Sequence, residues 1–145
     1  MGARLAADSK RGKFSGLEGV PRPGLVLSSS ATRAAQTAER VWAAVPDPPP
    51  IRYLDSLYAA TPREVLRQVS QAGSELPAVM VVGHNPTAQE LAIELVDRHD
   101  KPGRKLLERQ TLATCALVVY RFGAKTWADL DLGEGSVVAF LVPPY

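Results

Sequence analysis

The chain has 145 residues, enough for one domain with a substantial hydrophobic core. Hydrophobic residues make up 46% and charged residues 22%, as in ordinary globular proteins, and a formal charge of +2 is too slight a bias to argue for a nucleic-acid partner. One cysteine excludes an internal disulfide framework and a cysteine-based zinc site, and no apolar run approaches the length that spans a bilayer.

The N-terminal MGARLAADSKRGK has no apolar signal-peptide core, which with the lack of disulfides predicts a cytoplasmic protein with no membrane partner. Residues 1–8 read as the tail of an amphipathic helix, and DSKRGKFSGLEGVPRPG as an exposed connection rich in Gly, Pro and charge. GLVLSSS predicts a short strand over Leu25 to Leu27 ended by three serines. A helix follows from Ala31, where Ala34, Ala38, Val41, Trp42 and Val45 form one buried stripe. The PDPPP run breaks it, since proline lacks the N–H a helix needs.

IRYLDSLY predicts a short strand and a turn. Thr61 caps a second helix, with Pro62 in its first position and Gly73 past its end. AVMVV is a strand without alternation, as expected when both faces of a sheet are covered. The next helix, over 87–97, buries Ala88, Leu91, Ala92, Leu95 and Val96. HDKPGRKLLERQ reads as a polar, basic loop. Its cations (Arg98, Lys101, Arg104, Lys105, Arg109) lack interleaved aromatics and are mixed with Asp97, Asp100 and Glu108, the pattern of a solvated segment. ATCALVVYRF and GSVVAFLV are predicted antiparallel strands, with Cys115 an inert core thiol in the first of them. The alternation of strand and helix predicts a single domain over 1–145 with the architecture of a three-layer α/β/α sandwich.

Two strand-to-helix corners carry the chemistry. In open α/β sheets ligands bind beyond the carboxyl ends of the strands, where a helix N-terminus offers unpaired N–H groups and partial positive charge to an anion. In the first corner, SSSATRAAQTAER, Arg33 occupies the first helical turn, where the helix dipole disfavours a cation. Two readings stand there: a solvated surface arginine, or a guanidinium that holds a phosphate bidentately. In the second corner, GHNPT, Gly83 allows a tight turn and Pro86 fits the first helical turn. Asn85 and the Thr87–Glu90 pair are competing caps. His84 then projects over the sheet edge, either as a satisfied structural group or as a donor to the anion.

Together, LVLSSSATRAAQT and VVGHNPTAQELA resemble the histidine phosphatase superfamily, with its phosphoglycerate-mutase-like fold. The resemblance is strongest to its single-domain SixA-type phosphohistidine phosphatases. LGEGSVVAFLVPP resembles the closing strand of that branch, so the likeness runs from about Gly24 to Pro144 and leaves residues 1–23 as a helix remnant and loop. The resemblance implies that Arg33 and Asn85 bind the phosphoryl group and that His84 is the second, non-nucleophilic histidine donating to it. It implies too that Asp55, in YLDSLYAA, protonates the leaving group, although a surface turn aspartate is the competing reading. The implied partner is a phosphorylated protein or a small phosphate ester, with no cofactor and no metal.

The same resemblance exposes a departure. The family opens on a strand ending in Arg-His-Gly or Arg-His-Ala, whose histidine attacks phosphorus, and no such strand occurs here. The other histidine, His99 in DRHDKPGR, follows a helix and precedes an aspartate, so it reads as a charged helix terminus. The expectation is a SixA-like phosphatase without its nucleophile-bearing first strand and with little or no turnover, Met1 being an internal methionine of a longer reading frame. The alternative is a phosphoryl-binding pseudophosphatase.

Overall fold

The computed structural model describes Leu17 and residues 19–142; the helix tail expected over 1–8 lies outside them. Strand β1 (Leu25–Ser29) is flanked by β2 (Ile51–Leu54) and β3 (Val79–Val82) in a parallel sheet of order β2-β1-β3. Helix α1 (Thr32–Trp42) carries the chain from β1 to β2, and α2 (Pro62–Ser70) carries it from β2 back past β1 to β3. The two crossovers run in opposite directions along the sheet. With the right-handed sense that twisted strands impose on each, they deposit the helices on opposite faces.

Side chains of β1 divide accordingly. Val26, fully buried, packs with Ala34, Ala38, Val41, Trp42 and Val45, the stripe read from the sequence. Leu25 and Leu27 pack on the other face with Leu57, Ala60, Val65 and Val69. Burying each such aliphatic side chain contributes about 1.5–3 kcal/mol, so β1 is the hydrophobic axis of the sheet. The strand runs two residues further than LVL predicts. Ser28 and Ser29 are both 0% exposed. They are tolerated because Ser28 Oγ donates to the Ser29 carbonyl at 2.9 Å and Ser29 Oγ accepts the Ala31 N–H at 3.2 Å.

Helix α2 starts as the sequence indicates. Thr61 Oγ1 accepts the Glu64 N–H, and the Thr61 N–H returns to the Glu64 carboxylate at 2.7 Å, closing a capping box. That returned bond holds the Glu64 carboxyl below its ordinary range.

Helix α3 (Thr87–Leu95) follows β3, and a helix not expected from the sequence, α4 (Lys101–Arg109), comes next. Asp100 caps α4 by accepting the Gly103 N–H, and Pro102 sits in its first turn. A Cβ at position 103 would collide with the Asp100 carboxylate and Val137, so the Pro-Gly pair that reads as a breaker instead opens the helix. Of α3's expected core face, Ala92 and Leu95 are buried, and Val96 lies just past the helix end.

Strands β4 (Leu117–Arg121) and β5 (Ser136–Leu141) pair antiparallel as a separate two-stranded sheet. Tyr120 of β4 donates its hydroxyl to the Ala92 carbonyl of α3 at 2.6 Å, and burial pushes its pKa up. Gly135 is bonded both ways to the end of α3, through Leu95 O and Asp97 N at 2.8 Å each.

The architecture is thus mixed α/β, with a three-stranded parallel sheet and a two-stranded antiparallel sheet among the described residues. Strand β3 is half-buried rather than covered on both faces, with Val79, Met80 and Val81 partly accessible. Cys115 is exposed, contrary to expectation, because it stands at φ 62 in the turn before β4 rather than inside that strand. Among the described residues no helix is long and apolar enough to cross a membrane.

Candidate active site

The register of the parallel sheet sets three chain corners side by side. Leu54 is paired with Ser29, and Val82 with Ser28, so β2, β1 and β3 end together at one rim. Adjacent strands are about 4.8 Å apart, which sets Asp55, the start of α1 and His84 along the same sheet edge. β1 leaves this rim toward β2, while β3, on its other side, leads away through α3. A rim where neighbouring connections diverge is where open α/β sheets bind ligands.

At the first corner, α1 begins with no side-chain cap and no acidic residue in its first turn. Ser29 serves only the Ala31 N–H, so the positive end of the helix remains open to an anion. Arg33 is exposed, and among the described residues no hydrogen bond or ion pair holds its guanidinium. Ser30 Oγ donates to Asp55 Oδ1 across the β1–β2 boundary, fixing that carboxylate beside the start of α1. Sequence reasoning had no reason to connect these two residues.

At the second corner, His84 is partly buried and its Nε2 is shielded from solvent without a hydrogen-bond partner. Its Nδ1 lies 3.4 Å from the Asn85 carbonyl, and the Tyr58 ring meets it edge-on at 5.3 Å and 61°. A buried ring nitrogen without a partner is costly, and when it carries the proton an acceptor oxygen of a ligand would relieve that cost. The Thr87 hydroxyl donates to the Ala60 carbonyl at 2.9 Å, tying the α3 start to the segment that carries Tyr58. Gly83 is not needed for a tight turn: its φ is not positive, and a Cβ there would meet nothing within 4 Å.

Asn85 is occupied elsewhere. Its Nδ2 donates to Leu112 O at 3.0 Å, and its Oδ1 accepts the Gln89 N–H at 3.2 Å. Gln89 Oε1 in turn accepts the Leu112 N–H at 2.6 Å, so two side chains of this corner clasp the backbone of one loop residue. Asn85 Oδ1 takes the Gln89 N–H and Glu90 stands in the first turn, so the α3 terminus is already partly satisfied. The open helix end is that of α1.

His99 lies at the far end of α3 from His84, in a separate groove of about 520 Å³ with Asp97, Arg98 and Arg104. Its Nε2 accepts from Arg98 Nε at 3.1 Å, and its N–H bonds the Asp97 carboxylate at 2.7 Å. Nine helical residues span about 13 Å, too far for His99 to attack a group seated at His84.

Among the described residues, a parallel sheet whose rim joins an uncapped helix, an unpaired arginine and a partnerless imidazole nitrogen has the chemistry of an anion-binding site. No family model matches the chain. Rv1276c of Mycobacterium tuberculosis, an uncharacterized protein, is 35% identical over 126 residues, which cover 86% of this chain and 76% of that protein. The uncharacterized ML1117 of Mycobacterium leprae is 27% identical over 124 residues, with 86% and 74% covered. Among solved structures, one from Nakamurella multipartitia superposes with a TM-score of 0.72 at 25% identity, covering 99% of this chain and 81% of that one. Another, from Agrobacterium tumefaciens, gives 0.65 at 27% identity, with 97% and 77% covered. Both have been put forward as phosphohistidine phosphatase SixA. The chain belongs to one family with the Mycobacterium tuberculosis protein, and its likeness to the two SixA structures supports the histidine phosphatase family as the wider group.

Proposed function

We propose that the rim seats a phosphoryl group of a phosphorylated protein or small phosphate ester, in the manner of a SixA-type phosphatase with a three-layer sandwich fold. The observation that carries this reading is the common rim: one sheet edge gathers the uncapped α1 terminus, Arg33 and the partnerless His84 Nε2. Arg33 grips two phosphoryl oxygens with a charge it never loses. The α1 N–H groups and His84 donate to the others, and negative charge gathering on those oxygens during transfer is stabilised where it forms. Asp55, held by Ser30, stands where it could protonate the leaving atom. Asn85 has a supporting part, since its amide is engaged by Leu112 and Gln89.

In the complete reaction of this class a histidine nitrogen forms a bond to phosphorus as the bond to the leaving group breaks. Water then hydrolyses the phosphohistidine. The 145-residue chain contains two histidines, and neither ends a strand as Arg-His-Gly or Arg-His-Ala. These 145 residues by themselves are expected to hold the group with little or no turnover, and a phosphoryl-binding pseudophosphatase is the second reading. The test is a ³¹P NMR titration with inorganic phosphate, followed by assays with a phosphohistidine peptide and p-nitrophenyl phosphate. Saturable binding with turnover at background is expected. Absence of saturable binding sinks the site, and hydrolysis at ordinary phosphatase rates sinks the claim that the attacking group is lacking.

A further inference from the structure

We infer that Tyr58 is a specificity-determining residue, the aromatic wall against which a flat, ring-bearing leaving group lies. This rests on the reading of the rim as a phosphoryl seat. Asp55–Leu57 form a 3₁₀ turn that Tyr58 closes by donating its N–H to the Asp55 carbonyl at 3.1 Å. A 3₁₀ turn has three residues per revolution, so side chains three apart leave from the same face. Asp55 and Tyr58 are three apart. The turn thus lays the carboxylate on the first corner, against Ser30, and the phenol ring on the second, against His84. One short element bridges both halves of the rim.

The ring is held in place, because the segment behind it is fixed to α3 through Ala60 O and Thr87 Oγ1. Yet its contact with His84 uses only part of its surface. At 60% exposure it is the most exposed large hydrophobic residue among the described residues. An atom leaving phosphorus toward Asp55 carries its substituent along the bare part of that ring. A planar substituent such as an imidazole or phenyl group gains a stacked or edge-on contact there, and a methyl group gains almost none.

The experiment is calorimetric titration of the 145-residue chain with phenylphosphonate and methylphosphonate, which share a dianionic head and differ in the ring. The parent is expected to bind the phenyl compound about five-fold more tightly. Tyr58→Ala brings the ratio close to one, and Tyr58→Phe keeps it. A parent ratio near one overturns the inference. So does a ratio that survives Tyr58→Ala while both affinities fall together, which is the signature of a residue that merely positions His84. Failure of both phosphonates to bind the parent overturns the phosphoryl-seat reading and this inference with it, so the two failures are distinguishable.

Discussion

Arg33→Ala binds inorganic phosphate about 30-fold more weakly than the parent chain, a loss of ~2 kcal/mol within the range of charge-assisted hydrogen bonds. ³¹P NMR titration at fixed ionic strength reads it directly. Arg33→Lys recovers only part of the affinity, because an ammonium offers a point charge where the guanidinium offers a planar fork. Stability moves the other way or stays level. A cation in the first turn opposes the α1 dipole, so its removal leaves the melting temperature unchanged or slightly raised. Equal phosphate affinity in parent and Arg33→Ala would falsify the assignment of this arginine to the anion.

The second large effect concerns the scaffold. Trp42 is 3% exposed and packs with Val26, Val41, Val45 and Val82 on the α1 face of the sheet. Arg22 covers its ring at 5.6 Å while donating to the carbonyls of Pro46 and Asp47. Truncation to alanine opens a large cavity and costs about 3–5 kcal/mol. The indole N–H, however, is buried without a partner. Trp42→Phe therefore forfeits no hydrogen bond and costs only about 1–2 kcal/mol, a volume term alone. Urea unfolding midpoints separate the two. If phenylalanine proves as damaging as alanine, the indole nitrogen has a partner in solution.

Elements governed by a local pattern could be read from the chain. The α1 stripe needs only 3.6-residue periodicity, and Thr61, Pro62 and Glu64 encode their own helix start. Elements decided by tertiary partners could not. Ser28 and Ser29 look like a loop because they are polar, and they enter the strand only because neighbouring backbone groups satisfy their hydroxyls. In α4 the buried residues are Gly103 and Leu107, too few to show as a stripe among so many charges. Its start signal, Asp100 with Pro102 and Gly103, works because the Asp100 carboxylate bonds both Gly103 and Val137. Cys115 sits among aliphatics in sequence, but its positive φ takes it out of the strand.

The candidate site divides in the same way. Arg33 and His84 could be picked out because each stands at a strand-to-helix corner, and Asp55 only through the family resemblance. The sheet register then gathers those corners at one rim. Asn85 sits in the same motif, yet its amide is claimed by a residue 27 positions away, which no local pattern reveals. Tyr58 could be linked to Asp55 by its spacing of three, but only the fold brings its ring to His84.

The clasp on Leu112 has a consequence for how this protein drifts over time. Asn85 and Gln89 grip the N–H and C=O of that residue, groups that almost every amino acid supplies identically. The exposed side chains of Thr111 and Ala113 can change while the imidazole beside Asn85 stays anchored, whereas the Leu112 side chain itself packs against Ala92, Val96 and Leu107. Only an imino acid at position 112 breaks the hold, by deleting the proton that Gln89 accepts.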